Sequence, residues 1–253
     1  MNILQAIILG VIQGITEWLP ISSSAHLVLF QKYVVCETSV FLDALAHLGT
    51  LLSVLVLYGK DFFKILKDLF FGGEKRDYAF KLIVASLPIV IIGLLFAPLI
   101  ENAFENPSNI MVGGALLLTA AFLFATKFAK VNRDEVKYSD SLIIGLAQAL
   151  AILPGASRSG LTISTGNILG ISRKSAMLFS FYMAIIAIAG ANALEFFRTD
   201  FSNIDLAAGI AVFLSSFLVG IAALILLRKI ILREKFHLFG IYCLILGIIL
   251  ILF

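Results

Sequence analysis

Charge is scarce in this chain. Lys, Arg, Asp and Glu make up 14% of its 253 residues, against about 25% in soluble domains. With 60% hydrophobic residues and a mean hydropathy of +1.05, a water-soluble globular protein is excluded. Cysteine is nearly absent: Cys36 and Cys243 lie in or beside apolar runs with no pairing pattern. They read as buried small hydrophobes and carry no information on the redox compartment. The apolar runs are long and continuous, without strict alternation, so the spans are helices and not barrel strands. No nucleotide loop, haem motif or zinc spacing occurs. Met1 to Gln5 precede the first apolar run without a basic stretch, and no small-residue cleavage site stands out, so no removable signal peptide is expected. The net charge of +3 points to no nucleic-acid partner, because most basic residues fall in loops and mark the cytoplasmic side.

What is present is a series of apolar segments, two of them interrupted. Residues 1–35 and 139–170 each contain two arms too short to span alone, joined at a proline. Such a segment reads as a re-entrant hairpin, tolerated at membrane depth only where it lines a protected cavity. Uninterrupted spans are expected over 44–59, 82–100 (kinked at Pro88 and Pro98), 110–126, 176–194, 206–227 and 237–253. In the loop 60–81, Phe and Leu alternate with Lys as in an amphipathic helix lying at the interface, ended by Gly72-Gly73.

Of the 19 Lys and Arg, all but Lys32, Arg158 and Arg198 fall in the loops 60–81, 127–138, 171–174 and 228–235. Alternating topology fits this bias if both hairpins return to the side they entered, the first from outside and the second from the cytoplasm. Each hairpin is then followed by three spans, and the halves have opposite orientation. A sequence echo supports this: Leu19-Pro20, Ser23 and Leu27 match Leu153-Pro154, Ser157 and Leu161 at one offset. Gly10 and Gln13 match Gly145 and Gln148 after one insertion. The expected architecture is an all-α integral membrane protein of two inverted-topology repeats, residues 1–127 and 139–253. A cytoplasmic loop, 128–138, joins them in one membrane domain. Inverted repeats with broken helices place the site near the midplane, where the breaks meet.

The first break, Gln13-Gly-Ile-Thr-Glu17-Trp-Leu-Pro20-Ile-Ser22-Ser23-Ser24-Ala25-His26, concentrates an amide, a carboxylate, three hydroxyls and an imidazole in hydrocarbon. An ionisable group at that depth costs roughly 2.5–3.5 kcal/mol on insertion scales and by default signals function. The second break is Leu153-Pro154-Gly155-Ala156-Ser157-Arg158-Ser159-Gly160. Each break opens a helix N-terminus, capped by Ser22 to Ser24 or by Ser157, and such termini bind anions, phosphate above all. Gly155 permits close backbone approach, and Arg158 supplies a fork of donors for phosphate oxygens.

Glu17 reads either as a neutral or Arg158-paired structural acid, or as a ligand for Mg²⁺ or Ca²⁺. Gln13, one turn earlier, can supply a carbonyl oxygen or orient Glu17. His26 lies three residues after Ser23, a spacing for a nucleophile–base pair. Ser22, Ser24, Ser159 and Thr162 read as helix caps or backbone-bonded hydroxyls as readily as substrate ligands. Asp43 and His47, four apart, read as a second polar site or, more simply, as an interfacial hydrogen bond. Asn167, Asn192 and Glu195 read as interhelical or interfacial groups, and Trp18 as a lipid-facing or packing group.

These two stretches resemble the signature motifs of the bacterial undecaprenyl-pyrophosphate phosphatases of the bacitracin-resistance type. The likeness runs over essentially the whole chain, including Gly49-Thr50 and Gly170-Ile-Ser-Arg173. The resemblance implies a multi-pass enzyme of the bacterial plasma membrane, found as a homodimer. It implies hydrolysis of a polyprenyl pyrophosphate lipid to undecaprenyl phosphate and inorganic phosphate, with a divalent cation, recycling the carrier for cell-wall synthesis. Carried over by position, Glu17, Ser23, His26 and Arg158 are catalytic, with Glu17 on the metal. Gln13, Ser22, Ser24, Gly155, Ser157, Ser159, Gly160, Thr162 and Arg173 bind substrate. Either Ser23 or His26 attacks phosphorus. Many members carry Ser-Ser-Thr-Gly-His where this chain has Ser-Ser-Ser-Ala-His, so Ala25 predicts a slightly different local turn. The rival from the residues alone is an inverted-repeat transporter or flippase, which needs the anion donors but no activated nucleophile.

Overall fold

The computed structural model describes residues 1–35, 40–198 and 205–253; Cys36 lies outside the described residues. All regular structure among them is helical. The first interrupted segment forms α1 (Ile3–Trp18) and α2 (Ser23–Phe30), the latter running into a π-helical turn at Gln31–Val35. Then come α3 (Val40–Phe71), α4 (Arg76–Leu95), the short α5 (Ala97–Glu105) and α6 (Asn109–Ala125). The second interrupted segment forms α7 (Tyr138–Leu150) and α8 (Arg158–Ile168), followed by α9 (Arg173–Arg198), α10 (Leu206–Leu232) and α11 (Phe239–Leu252). Among the described residues five helices are long and apolar enough to cross a membrane: α3, α4, α6 with the turn that follows it, α9 and α10. This is an all-α, multi-pass membrane protein.

Two segments differ from the sequence reading. Residues 60–71 are no separate interfacial helix but the end of α3, which is 32 residues long. At 1.5 Å per residue α3 measures about 48 Å and outruns a hydrocarbon core of about 30 Å. Nothing in Tyr58-Gly59-Lys60 breaks the helix, so its last turns emerge with Lys60, Lys64 and Lys67. The helix stops at Gly72, whose φ of +77° is left-handed, a common end for a helix. The expected span 82–100 is instead two helices, broken at Phe96 just before Pro98, whereas Pro88 stays inside α4. A proline is tolerated in a helix's first turn, so Pro98 starts α5 and does not kink α4.

α1 lies along α10, and α4 along α7. The long helix α3 packs between α10 and α9, while α6 pairs with α11. The core is centred on α9, where Phe179, Phe181 and Met183 are fully buried. Small residues allow the closest crossings: Gly145 faces the Ala85 carbonyl and leaves no room for a side chain.

Met1 packs in one apolar cluster with Val35. The loop before α7 bonds the turn after α8, through Asn132 N–H to the Gly170 carbonyl at 2.9 Å. The basic loops meet at that same end. Arg133 forms a bidentate pair with Asp140 at 2.6 and 2.9 Å, Tyr138 donates to Asp77, and Arg173 pairs with Glu234 at 3.0 Å. Burial disfavours the charge on Asp140, but the Arg133 fork and the Lys137 N–H overcome it and hold the carboxyl below its usual range.

Candidate active site

The two breaks touch. Gly155 N–H, in the second, donates to Ser24 Oγ, in the first, at 3.1 Å. Gly155 has φ +98°, and a Cβ there would stand 2.5 Å from the Val112 carbonyl of α6. Only glycine allows both that backbone and that approach. In the first break the left-handed residue is Ser22, with φ +72°, a conformation costing roughly 1–3 kcal/mol for a non-glycine. Its hydroxyl caps α2 by accepting from Ala25 N–H at 3.2 Å. Ala25 itself sits inside α2 in ordinary helical backbone. The turn predicted to depend on it is decided three residues earlier, so the family's glycine is not needed here.

Glu17, at the end of α1, is the hub. Its Oε1 accepts from Arg158 Nη2 at 2.5 Å, and its Oε2 from Ser23 Oγ at 2.7 Å and Gln13 Nε2 at 3.2 Å. Arg158 begins α8 and lies over the Trp18 ring, 5.5 Å from its centroid. Trp18 is buried, with Nε1 on Ser53 Oγ at 3.1 Å and an edge contact to Phe181. Of its two expected roles it takes packing, and it forms the wall behind the arginine.

Ser157 caps α8, accepting from Gly160 N–H at 3.1 Å, and its own N–H donates to Thr119 Oγ1 at 3.0 Å. Ser159 lies beside Ser157 Oγ at 3.3 Å, and Gly160 gives α8 room against Thr119. Thr162 bonds the Arg158 carbonyl at 2.8 Å and Ser180 Oγ at 2.7 Å. Its hydroxyl braces α8 on α9 and is buried.

Two residues stand differently from the sequence expectation. His26 makes no hydrogen bond to Ser23: Nδ1 meets the Ser22 carbonyl at 2.7 Å and Nε2 the Tyr242 hydroxyl at 2.6 Å, on α11. The i,i+3 spacing is real, but the positive φ of Ser22 turns the Ser23 hydroxyl back to Glu17. Arg173 begins α9, beyond the far end of α8, so roughly 15 Å of helix rise separates it from Arg158, and it pairs with Glu234.

His47 was missed as a site residue. Its Nε2 stands 3.8 Å from Glu17 Oε2, and its Nδ1 lies 2.8 Å from the Asp43 carbonyl. The i,i+4 pair was visible in the sequence. That α3 carries it to the hub was not.

Two polar atoms at the hub are buried without a partner: Gln13 Oε1, an acceptor, and Arg158 Nη1, a donor. One asks for a cation or donor, the other for an anion. Among the described residues no group of three or more His, Cys, Asp and Glu forms a cage able to hold a metal alone. A carboxylate and an amide oxygen fit a divalent cation that takes its remaining ligands from substrate phosphates. The residues present therefore fit the cation when it arrives with a phosphorylated ligand.

In a multi-pass membrane protein, a buried cluster joins a carboxylate, a hydroxyl and an arginine across two broken helices, and its free Arg158 Nη1 is a donor suited to an anion. The comparisons with known proteins agree in kind. The family model for bacitracin resistance protein BacA matches residues 6–249, and the chain belongs to that family. It is 40% identical to the undecaprenyl-diphosphatase of Korarchaeum cryptofilum, over 98% of each chain. It is 39% identical to that of Thermosipho africanus, over 96% of this chain and 97% of the relative. To that of Christiangramia forsetii it is also 39% identical, over all of this chain and 98% of the relative.

Proposed function

We propose that this protein is an undecaprenyl-diphosphatase, releasing inorganic phosphate from undecaprenyl diphosphate and returning undecaprenyl phosphate for cell-wall synthesis. The observation that carries it is Glu17 bonded at once to Ser23 and Arg158. A hydroxyl on a carboxylate is a nucleophile on its base, and the guanidinium beside it holds the group to be attacked.

In this reading Ser23 Oγ attacks the terminal phosphorus and Glu17 takes the hydroxyl proton. The new Ser23 O–P bond forms as the bridging P–O bond breaks, and undecaprenyl phosphate leaves. Glu17 passes that proton to the departing phosphate oxygen; water then attacks the phosphoserine as Glu17 takes its proton, the Ser23 Oγ–P bond breaks, the proton returns to Ser23 Oγ, and inorganic phosphate departs. Arg158, through Nη1, and the N-terminus of α8 carry the charge on the phosphate oxygens. Ser22 and Ser24 fix the tip of the first break, Gly155 brings the second against it, and Ser157, Ser159, Gly160 and Thr162 hold α8. Glu17 and the Gln13 amide oxygen are the residues that would hold a divalent cation, which would supply positive charge to the diphosphate when bound. His26 has both ring nitrogens engaged, which favours Ser23 as the nucleophile.

The same reading makes the two broken segments re-entrant hairpins entering from opposite faces, within inverted repeats 1–127 and 139–253 joined by the loop 128–138. The helix pairing supports it: exchanging the halves turns the α1–α10 contact into α7–α4 and leaves α3–α9 and α6–α11 unchanged. The loops gathered around Arg133 lie on the cytoplasmic side of the plasma membrane, and the working unit is a homodimer.

Phosphate release from undecaprenyl diphosphate by purified protein in detergent tests the activity. The expected result is cation-dependent turnover. A transporter or flippase would release none in micelles, and that outcome would sink the enzyme.

A further inference from the structure

Gln13 and His47 both stand beside Glu17 Oε2. Gln13 Oε1 is buried and unpartnered, on the amide whose nitrogen reaches Glu17 Oε2. His47 approaches that same oxygen from α3. The Asp43 carbonyl, 2.8 Å from Nδ1, can only accept, so the tautomer that this bond selects carries its proton on Nδ1 and leaves Nε2 as the donor atom for a metal. At 3.8 Å the Nε2 to Oε2 separation is too long for a hydrogen bond. It suits two donors on a shared ion, each about 2.0–2.5 Å from it. The ring is held in place: Gln31 Nε2 lies 2.8 and 2.9 Å from the two Asp43 carboxylate oxygens, fixing the turn that orients His47. Its side chain is one-third exposed.

We propose that His47 Nε2 is a protein ligand of the divalent cation, together with Glu17 and Gln13. This inference rests on the cation-dependent reading above. A carboxylate, an amide oxygen and an imidazole form a harder-to-softer mixture. Imidazole suits first-row transition ions, whereas Mg²⁺ and Ca²⁺ prefer oxygen alone. The site therefore favours Mn²⁺ over Ca²⁺, and His47 is the residue responsible.

The test uses the full chain in detergent, with Mn²⁺ titrated in the presence of inorganic pyrophosphate and followed by electron paramagnetic resonance. Bound Mn²⁺ should show the nitrogen modulation of a coordinated imidazole. His47→Gln should lose that modulation and bind Mn²⁺ at least about tenfold more weakly, while its Ca²⁺ affinity shifts less than about threefold. The wild-type spectrum needs no variant, so a poorly folding substitution does not block the answer. Bound Mn²⁺ without nitrogen modulation, in a protein whose phosphate release still needs a cation, overturns His47 as a ligand and leaves the proposed function standing. In that case His47 is only a charge partner of Glu17. Phosphate release undiminished by EDTA removes the cation from the proposed function, and this inference falls with it. No phosphate release under any condition refutes the enzyme itself.

Discussion

Glu17 and Arg158 stand 141 positions apart in the chain and 2.5 Å apart in space. Their contact is the seam between the two broken segments. It places a positive and a negative group side by side in an apolar molecule, each with spare capacity for a ligand.

Removing either partner should be severe. Glu17→Gln and Arg158→Ala are each expected to lower phosphate release by at least about 100-fold. Each leaves a buried charge unpaired, which destabilises by about 3–5 kcal/mol. Thermal melting in detergent separates the two effects. Arg158→Lys keeps the charge but loses the fork, so it should melt nearer the wild type while remaining strongly impaired.

Ser23 and His26 should separate in the same assay. Ser23→Ala is expected to abolish turnover without greatly changing the melting temperature. His26→Gln, which loses the ring on Tyr242, should retain activity within about tenfold of wild type. An inactive His26→Gln that folds normally would return the nucleophile question to the imidazole.

Gly155→Ala should fail for a backbone reason. The left-handed φ of +98° costs an ordinary residue roughly 1–2 kcal/mol, and the new Cβ meets the Val112 carbonyl. A lower melting temperature together with lost activity is expected, because α8 must retreat from Ser24. Gly114, with open space around it, is the control: its alanine variant should be near wild type.

The Arg133–Asp140 pair sets an acid limit. The Asp140 carboxyl titrates lower in the folded protein than in the unfolded chain, where an aspartate titrates near 3.9. Its contribution is therefore full above the unfolded value and drains away as pH falls through the folded one. Asp140→Asn should flatten that part of the acid branch of a melting-temperature profile and lower stability at neutral pH.

Much of the site was legible because it is costly. Glu17, Ser23 and Arg158 stand out wherever a chain is otherwise hydrocarbon, and proline with glycine or serine marks where a helix must break. Less legible were features that depend on which helix lies beside which. His47 and Asp43 gave only an i,i+4 spacing, and nothing in α3 announced Glu17 as the neighbour. His26 illustrates the reverse: the spacing to Ser23 was correct, but one left-handed residue at Ser22 redirected the contact. The loop 60–71 misled because helical amphipathicity looks the same on a detached interfacial helix and on the emerging end of a long span.

By itself the sequence determined that this is a helical membrane protein, where its two helices break, and which polar groups lie in the apolar interior. Hydrophobicity, backbone propensity and the cost of burying charge act locally, so they can be read along the chain. Only the tertiary structure decided that Gly155 touches Ser24, that Arg158 reaches Glu17 and that His47 joins them. Those contacts depend on how helices far apart in sequence pack, and packing is fixed by the shape of the whole bundle.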